Sequence, residues 1–222
     1  MPLVTLINML KEFSALLQHR LMLPLPGRDA QLRMAHAERK INLARYKIPQ
    51  DAKWGSVLIL FFEEENKIKF PLILRPEYDG VHSGQVGFPG GKFEMADENL
   101  VTTALRETSE EIGVASNDVD MLGKLTELYI PPSNFLVHPH VGKISYRPAF
   151  FPDEKEVMKV IEISLDELMD ERVVSEKEIK LSNGLRIISP YFDLQGHAVW
   201  GATAMILSEL KVILKELGGS RL

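Results

Sequence analysis

The segment 84–114, GQVGFPGGKFEMADENLVTTALRETSEEIGV, constrains this chain more than any other part of it. A glycine-rich turn runs into a stretch whose apolar residues, Leu100, Ala104, Leu105, Thr108 and Ile112, recur at helical spacing, so a helix is expected from Asp97 onward. Glu107, Glu110 and Glu111 fall on a different face. Residues three and four apart on a helix are neighbours, so these carboxylates repel one another. They also crowd the last turn before Gly113, where the helix dipole disfavours negative charge. A sequence selected for stability alone avoids this arrangement unless a cation joins it. An all-oxygen donor set without Cys or His suits a hard ion, Mg²⁺ or Mn²⁺, of the kind bound between a few carboxylates and substrate phosphates.

Gly91 followed by Arg106-Glu107-Thr108-Ser109-Glu110-Glu111-Ile112-Gly113-Val114 resembles the Nudix box, the signature of Mg²⁺-dependent hydrolases of nucleoside diphosphates linked to another group. The resemblance implies Glu107 and Glu111 as the main metal ligands, with the carbonyl near Gly91 also reaching the ion. It implies Glu110 as an additional ligand, direct or through water, or as a group that activates the attacking water. Arg106 is then paired with a carboxylate at the start of the helix. The family interval between glycine and arginine is one residue shorter than here, which leaves Asp97 and Glu98 both eligible as that partner, and Thr108 stands where the family has an aliphatic residue.

Upstream, His82-x-Gly84-x-x-x-Phe88-Pro89-Gly90-Gly91 resembles the additional signature of Nudix coenzyme A pyrophosphatases, with Gly80 where that signature has arginine. Tyr191-Phe192, Gly196-His197 and the segment 200–204 are similar to the close of the same enzymes, and Gln31, Met34 and Arg39 lie in a segment similar to their amino-terminal extension. The resemblance implies hydrolysis of coenzyme A or acyl-coenzyme A to (acyl-)4′-phosphopantetheine and adenosine 3′,5′-bisphosphate. The alternatives are the same chemistry on ADP-ribose or another nucleoside diphosphate derivative, and a module that senses a nucleotide without cleaving it. Arg75, His82 and Lys92 are the candidate phosphate contacts, and Glu156 is the acidic residue expected to reach the site from a second segment.

The remaining pattern supplies the frame. Segments 54–62 and 69–74 read as a hairpin around the polar turn 63–67, and 122–130, 136–145, 157–163 and 185–192 read as further strands, with a hairpin turn at Ser182-Asn183-Gly184. Helices are expected at 165–169 and at about 200–217, the latter with an apolar face of Ala204, Leu207, Leu210, Ile213 and Leu214. Strands on both sides of one helix imply an α/β (α+β) domain, a mixed sheet sandwiched between helices, as the Nudix fold has. That domain is expected over 46–222, behind an N-terminal helical extension over 1–45. Within the extension, 3–18 reads as an amphipathic helix whose face, Leu3, Leu6, Ile7, Leu10, Phe13, Leu16 and Leu17, must be covered by the body of the chain or by a second copy in a homodimer. His138 and His140 share one side of a strand, as a pair that binds a metal or a phosphate or as a satisfied or exposed pair.

A net charge of −5 argues against broad nucleic-acid or anionic-membrane binding, and the substrate expected is a small molecule. The absence of cysteine excludes disulfides, thiolate metal sites and a cysteine nucleophile. Cytoplasmic location is expected, with a peroxisomal alternative from the Ser220-Arg221-Leu222 ending, which resembles a variant Ser-Lys-Leu signal.

Overall fold

The computed structural model describes residues 9–43, 47–80, 82–180 and 184–218. Leu3, Leu6 and Ile7, the turn residues Ser182 and Asn183, and the terminal tripeptide lie outside them. In chain order the elements are α1 (Met9–Leu21), α2 (Gly27–Gln31), α3 (Ala37–Leu43), β1 (Lys53–Glu64), β2 (Lys67–Leu74), β3 (Val86–Gly87), β4 (Gly90–Lys92), α4 (Leu100–Ile112), β5 (Asp120–Lys124), β6 (Leu128–Ile130), β7 (Phe135–Lys143), β8 (Lys159–Ser164), α5 (Leu165–Met169), β9 (Val174–Lys180), β10 (Arg186–Leu194), β11 (His197–Trp200) and α6 (Gly201–Glu216).

β1 is the axis of the main sheet. Its even-numbered residues Leu58, Leu60 and Phe62 face α4, where they pack with Ala104 and Ile112; its odd-numbered Ile59 and Phe61 face α1 and α6. A strand buried on both faces has no polar alternation, and 57–62 reads as a continuous apolar run for that reason. β1 pairs antiparallel with β2 and β4 and parallel with β7, in the register Ser56↔His138 and Leu58↔His140, while β8 extends the sheet beyond β2. The parallel pair requires a crossover, and α4 lies in it. The sheet is therefore mixed and lies between helices, as its sequence pattern requires.

Three expectations shift, and two strands are added. The helix begins at Leu100, three residues later than Asp97, because extended Asn99 caps it by accepting from the Val101 and Thr102 amides. The segment 122–130 is two strands: Thr126 leaves the ladder to donate its hydroxyl to Glu209 at 2.6 Å, and β5 and β6 pair separately with β7. β9 and β11, which flank β10 in a separate three-stranded sheet, escaped sequence reading. β9 reads VSEKEIK and exposes all but Ile179, so it carries no apolar alternation to detect. Finally, Leu10, Phe13 and Leu17 of α1 are buried on the core, with Phe13 edge-on to Phe61 at 5.1 Å, but Leu16 is 48 % exposed.

The arm 9–43 is tied to α6 and to the chain around β6 by hydrogen bonds and core packing. Glu209 of α6 is fully buried and accepts from the Gly27 amide at 3.0 Å, from Gln31 Nε2 at 2.9 Å and from Thr126 Oγ1. Met34 packs in the core, and Arg39 Nη2 donates to the Tyr129 carbonyl at 2.8 Å. The helix at 200–217 is found as α6, with all five residues of its expected apolar face buried. Among the described residues no helix is long and apolar enough to cross a membrane.

Candidate active site

The site is built where β4 is pressed against β1 and roofed by α4. Gly90 and Gly91 pair with Val57 and Ser56, and Pro89 accepts from the Leu58 amide at 2.9 Å. A Cβ at Gly90, whose φ is +148°, would lie 2.3 Å from the Ser56 carbonyl oxygen; one at Gly91 would lie 2.4 Å from Cδ of Glu107. The first glycine lets two backbones touch, and the second lets the backbone reach a carboxylate.

α4 aims that carboxylate. Asn99 sets its start, and Gly113 ends it in the left-handed conformation with its amide on the Ser109 carbonyl. Burial of Ala104, Thr108 and Ile112 against β1 fixes its rotation, and full burial of Ile112 contributes about 2–3 kcal/mol. Thr108 returns its hydroxyl to the Ala104 carbonyl at 2.7 Å, which is how a polar residue occupies an aliphatic position in the core.

With that rotation Glu107 and Glu111 turn inward, and Glu110 turns out. The Glu111 side chain is 1 % exposed, with Oε2 accepting from the Gly90 amide at 2.7 Å and Oε1 3.3 Å from Arg75 Nη2. Burial pushes its pKa up to about 7, against the opposing pull of Arg75 and Gly90. Glu107 is raised as well, again mainly by burial. Glu110 is 58 % exposed and pairs with Arg106 Nη1 at 3.0 Å, so the trio does not project together as expected. Among the described residues no three side chains of the His, Cys, Asp or Glu type already stand in a metal-holding array.

Arg106 resolves the choice between the two early carboxylates. Its Nε and Nη2 donate to Asp97 at 2.9 and 3.0 Å, while Nη1 lies 3.1 Å from Glu107. Asp97 is buried and also accepts from Thr103 Oγ1 and the Glu94 amide, and the Arg106 fork holds its carboxyl well below the usual range. Glu98 is exposed. Three residues before the helix, Asp97 is free to fold back onto it.

One cavity of about 330 Å³ joins Arg75, His82, Lys92, Glu107, Glu111 and Glu156 to an apolar wall of Val57, Phe88, Ile130, Phe135, Val137 and Ile206. The four expected substrate contacts are thus brought together, whereas Glu110 is not among the lining residues. The apolar wall was missed as a wall because it is assembled from five separate segments. Its one detectable signal was the alternation that puts Phe135 and Val137 on the same side of β7. His138 and His140 occupy the other side, outside the cavity. Ser56 Oγ donates to the His138 carbonyl at 3.2 Å and lies 2.9 Å from His140 Nδ1, so the buried His140 is satisfied internally; burial lowers its pKa to about 4.

These residues fit a hard divalent ion. One buried carboxylate, Glu111, one half-buried carboxylate, Glu107, and a backbone with no Cβ in the way form an all-oxygen donor set, and burial without full compensation raises both carboxyl groups.

Comparisons with known proteins identify the family and the fold. Residues 53–189 match the family model described as the NUDIX domain. The chain is 36 % identical over 137 residues to a protein of Pectobacterium atrosepticum named Nudix hydrolase NudL, covering 61 % of this chain and 69 % of the relative. It is 32 % identical over 164 residues to the protein of the same name from Yersinia pestis, covering 68 % and 81 %. The crystal structure of the Nudix hydrolase RenU from M. smegmatis superposes with a TM-score of 0.53 at 12 % identity, over 75 % of this chain and 88 % of that one, a likeness of fold. A family model matching well over half the chain, on a helix and glycine turn arranged as described, makes this protein a member of the Nudix hydrolase family.

Proposed function

We propose that the protein hydrolyses the diphosphate bond of coenzyme A or acyl-coenzyme A with Mg²⁺ or Mn²⁺, giving (acyl-)4′-phosphopantetheine and adenosine 3′,5′-bisphosphate. The observation that carries this reading is the single cavity that sets Glu107 and Glu111 beside Arg75, His82 and Lys92, and continues along an apolar wall. The charged part suits a diphosphate, and the wall suits an uncharged arm or base. The stretch that resembles the coenzyme A signature supplies His82, Phe88, Gly90 and Gly91 to this lining, which supports coenzyme A over other nucleoside diphosphate compounds.

In this reading Glu107, Glu111 and the Gly91 carbonyl hold the ion, with Glu110 joining directly or through water. When bound, the ion offsets the charge of the diphosphate and acidifies a water. Arg106, locked on Asp97, holds Glu107 in its inward position. Arg75, His82 and Lys92 bind and orient the phosphates. A carboxylate of Glu107, Glu110 or Glu156 takes the proton as the water oxygen bonds to phosphorus and the bridging P–O bond breaks, a contribution of about 10²- to 10⁴-fold. The apolar wall excludes competing water and positions the organic arm. The domain over 46–222 carries this machinery, and within the extension over 1–45 the described residues 9–43 brace it.

Purified protein with Mg²⁺, offered coenzyme A, acyl-coenzyme A, ADP-ribose, NADH and diadenosine polyphosphates, tests the substrate; preference for anything but the first two refutes it. Glu107→Gln is expected to lower turnover by about 10²-fold or more with an unchanged melting curve. Absence of turnover in the parent protein on the whole panel, with nucleotide still bound, identifies a sensor instead.

A further inference from the structure

Two arginines face the carboxylates of α4, and they are held very differently. Arg106 lays a two-nitrogen fork on buried Asp97 and adds the Lys92 carbonyl, so it is a fixed part of the frame. Arg75 reaches in from the end of β2 with one nitrogen. Nη2 lies 3.1 Å from the Gly90 carbonyl and 3.3 Å from Glu111 Oε1, and 28 % of the side chain is exposed. For Glu111, buried and with its other oxygen on the Gly90 amide, Arg75 is the one cation at ion-pair distance among the described residues. The guanidinium therefore stands on the Glu111 oxygen that the Gly90 amide leaves unused, at the end of a long, partly exposed side chain that lines the cavity.

We propose that Arg75 is an exchangeable counter-ion. It neutralises Glu111 while the site lacks a divalent ion, gives up that oxygen when the ion binds, and then carries its charge to the diphosphate. The inference rests on Glu111 being a ligand, as proposed above. A buried carboxylate without a counter-charge is costly, so a tethered cation stabilises the empty site and weakens metal binding by the same interaction. The released guanidinium matches a phosphate better than a lysine does, because its planar fork donates two parallel hydrogen bonds. Metal before diphosphate is the resulting order of binding.

The test is a Mn²⁺ titration followed by electron paramagnetic resonance without substrate, alongside KM at saturating metal. Arg75→Ala is expected to bind Mn²⁺ about tenfold more tightly than the parent protein, because the competing charge is gone. Its KM is expected to rise about tenfold. Arg75→Lys, which keeps the charge without the fork, is expected to hold Mn²⁺ affinity within about twofold while still raising KM. Circular dichroism shows which variants fold, and the lysine variant alone suffices if the alanine variant does not. Unchanged or weaker Mn²⁺ binding in Arg75→Ala, or a lysine variant with parental KM, overturns the exchange. Glu111→Gln separates the layers: if it weakens Mn²⁺ binding while Arg75→Ala does not strengthen it, only the exchange fails. Unaltered binding in Glu111→Gln overturns the metal site and the exchange with it.

Discussion

Adjacent glycines at positions 90 and 91 are expected to fail in opposite ways when each is changed to alanine. At Gly90 the added methyl would meet backbone, 2.3 Å from the Ser56 carbonyl oxygen and 2.6 Å from the Val57 Cα, at φ +148°. Neither can yield without opening the β1–β4 pairing. Backbone strain of about 1–3 kcal/mol and an overpacking cost of similar size give a destabilisation of about 2–6 kcal/mol. For a domain of this size that lowers the melting temperature by roughly 5–20 °C. At Gly91 the methyl would lie 2.4 to 2.5 Å from the Glu107 carboxylate, the far end of a flexible side chain, and the backbone is unstrained. The carboxylate swings away instead. Stability then changes by less than about 1 kcal/mol, part of it a gain from the stiffer unfolded chain. A misplacement of about 1 Å in a catalytic ligand costs about 10²-fold in turnover. Thermal melts by circular dichroism and phosphate-release rates on the preferred substrate separate the two effects. Parental turnover in Gly91→Ala, or equal melting of both variants, refutes the assignment of Glu107 to the chemistry and of Gly90 to the frame.

Asp97→Asn removes the charge under the Arg106 fork and is expected to cost about 2 kcal/mol, a drop of roughly 4–8 °C in melting temperature, with lower turnover. Glu98→Gln, on an exposed residue, changes neither, and a reversal of the two results contradicts the pairing. Stability depends on pH through His140. Its folded pKa is about 4 and the ordinary value is 6.5, so the unfolded chain takes up the proton first. The stabilisation is complete above pH about 6.5 and is lost as pH falls toward 4, by about 3 kcal/mol at about 1.4 kcal/mol per pH unit. Urea unfolding of the parent protein and of His140→Gln across that window checks this: the variant should show a shallower slope, and parallel curves disprove the contribution.

What the residues determined by themselves is the local chemistry. Glutamates three and four apart before a glycine make a cation the expectation, because they repel one another, and the apolar period of α4 and α6 declares which face each helix buries. β1 and β2 were legible as strands for the same reason, their apolar runs being too short and too rich in branched and aromatic residues for a helix. Tertiary structure alone decided which carboxylates meet. The rotation of α4 against Leu58 and Leu60 brings Glu107 and Glu111 inward and leaves Glu110 to Arg106, although spacing makes Glu110 and Glu111 both neighbours of Glu107. It also decided between Asp97 and Glu98, through an extended Asn99 that turns the preceding chain back onto the helix. The apolar wall and the charged strand β9 were out of reach for a shared reason. Each owes its place to partners distant in sequence, and a periodicity read within one segment records only what that segment buries, never what another segment brings to face it.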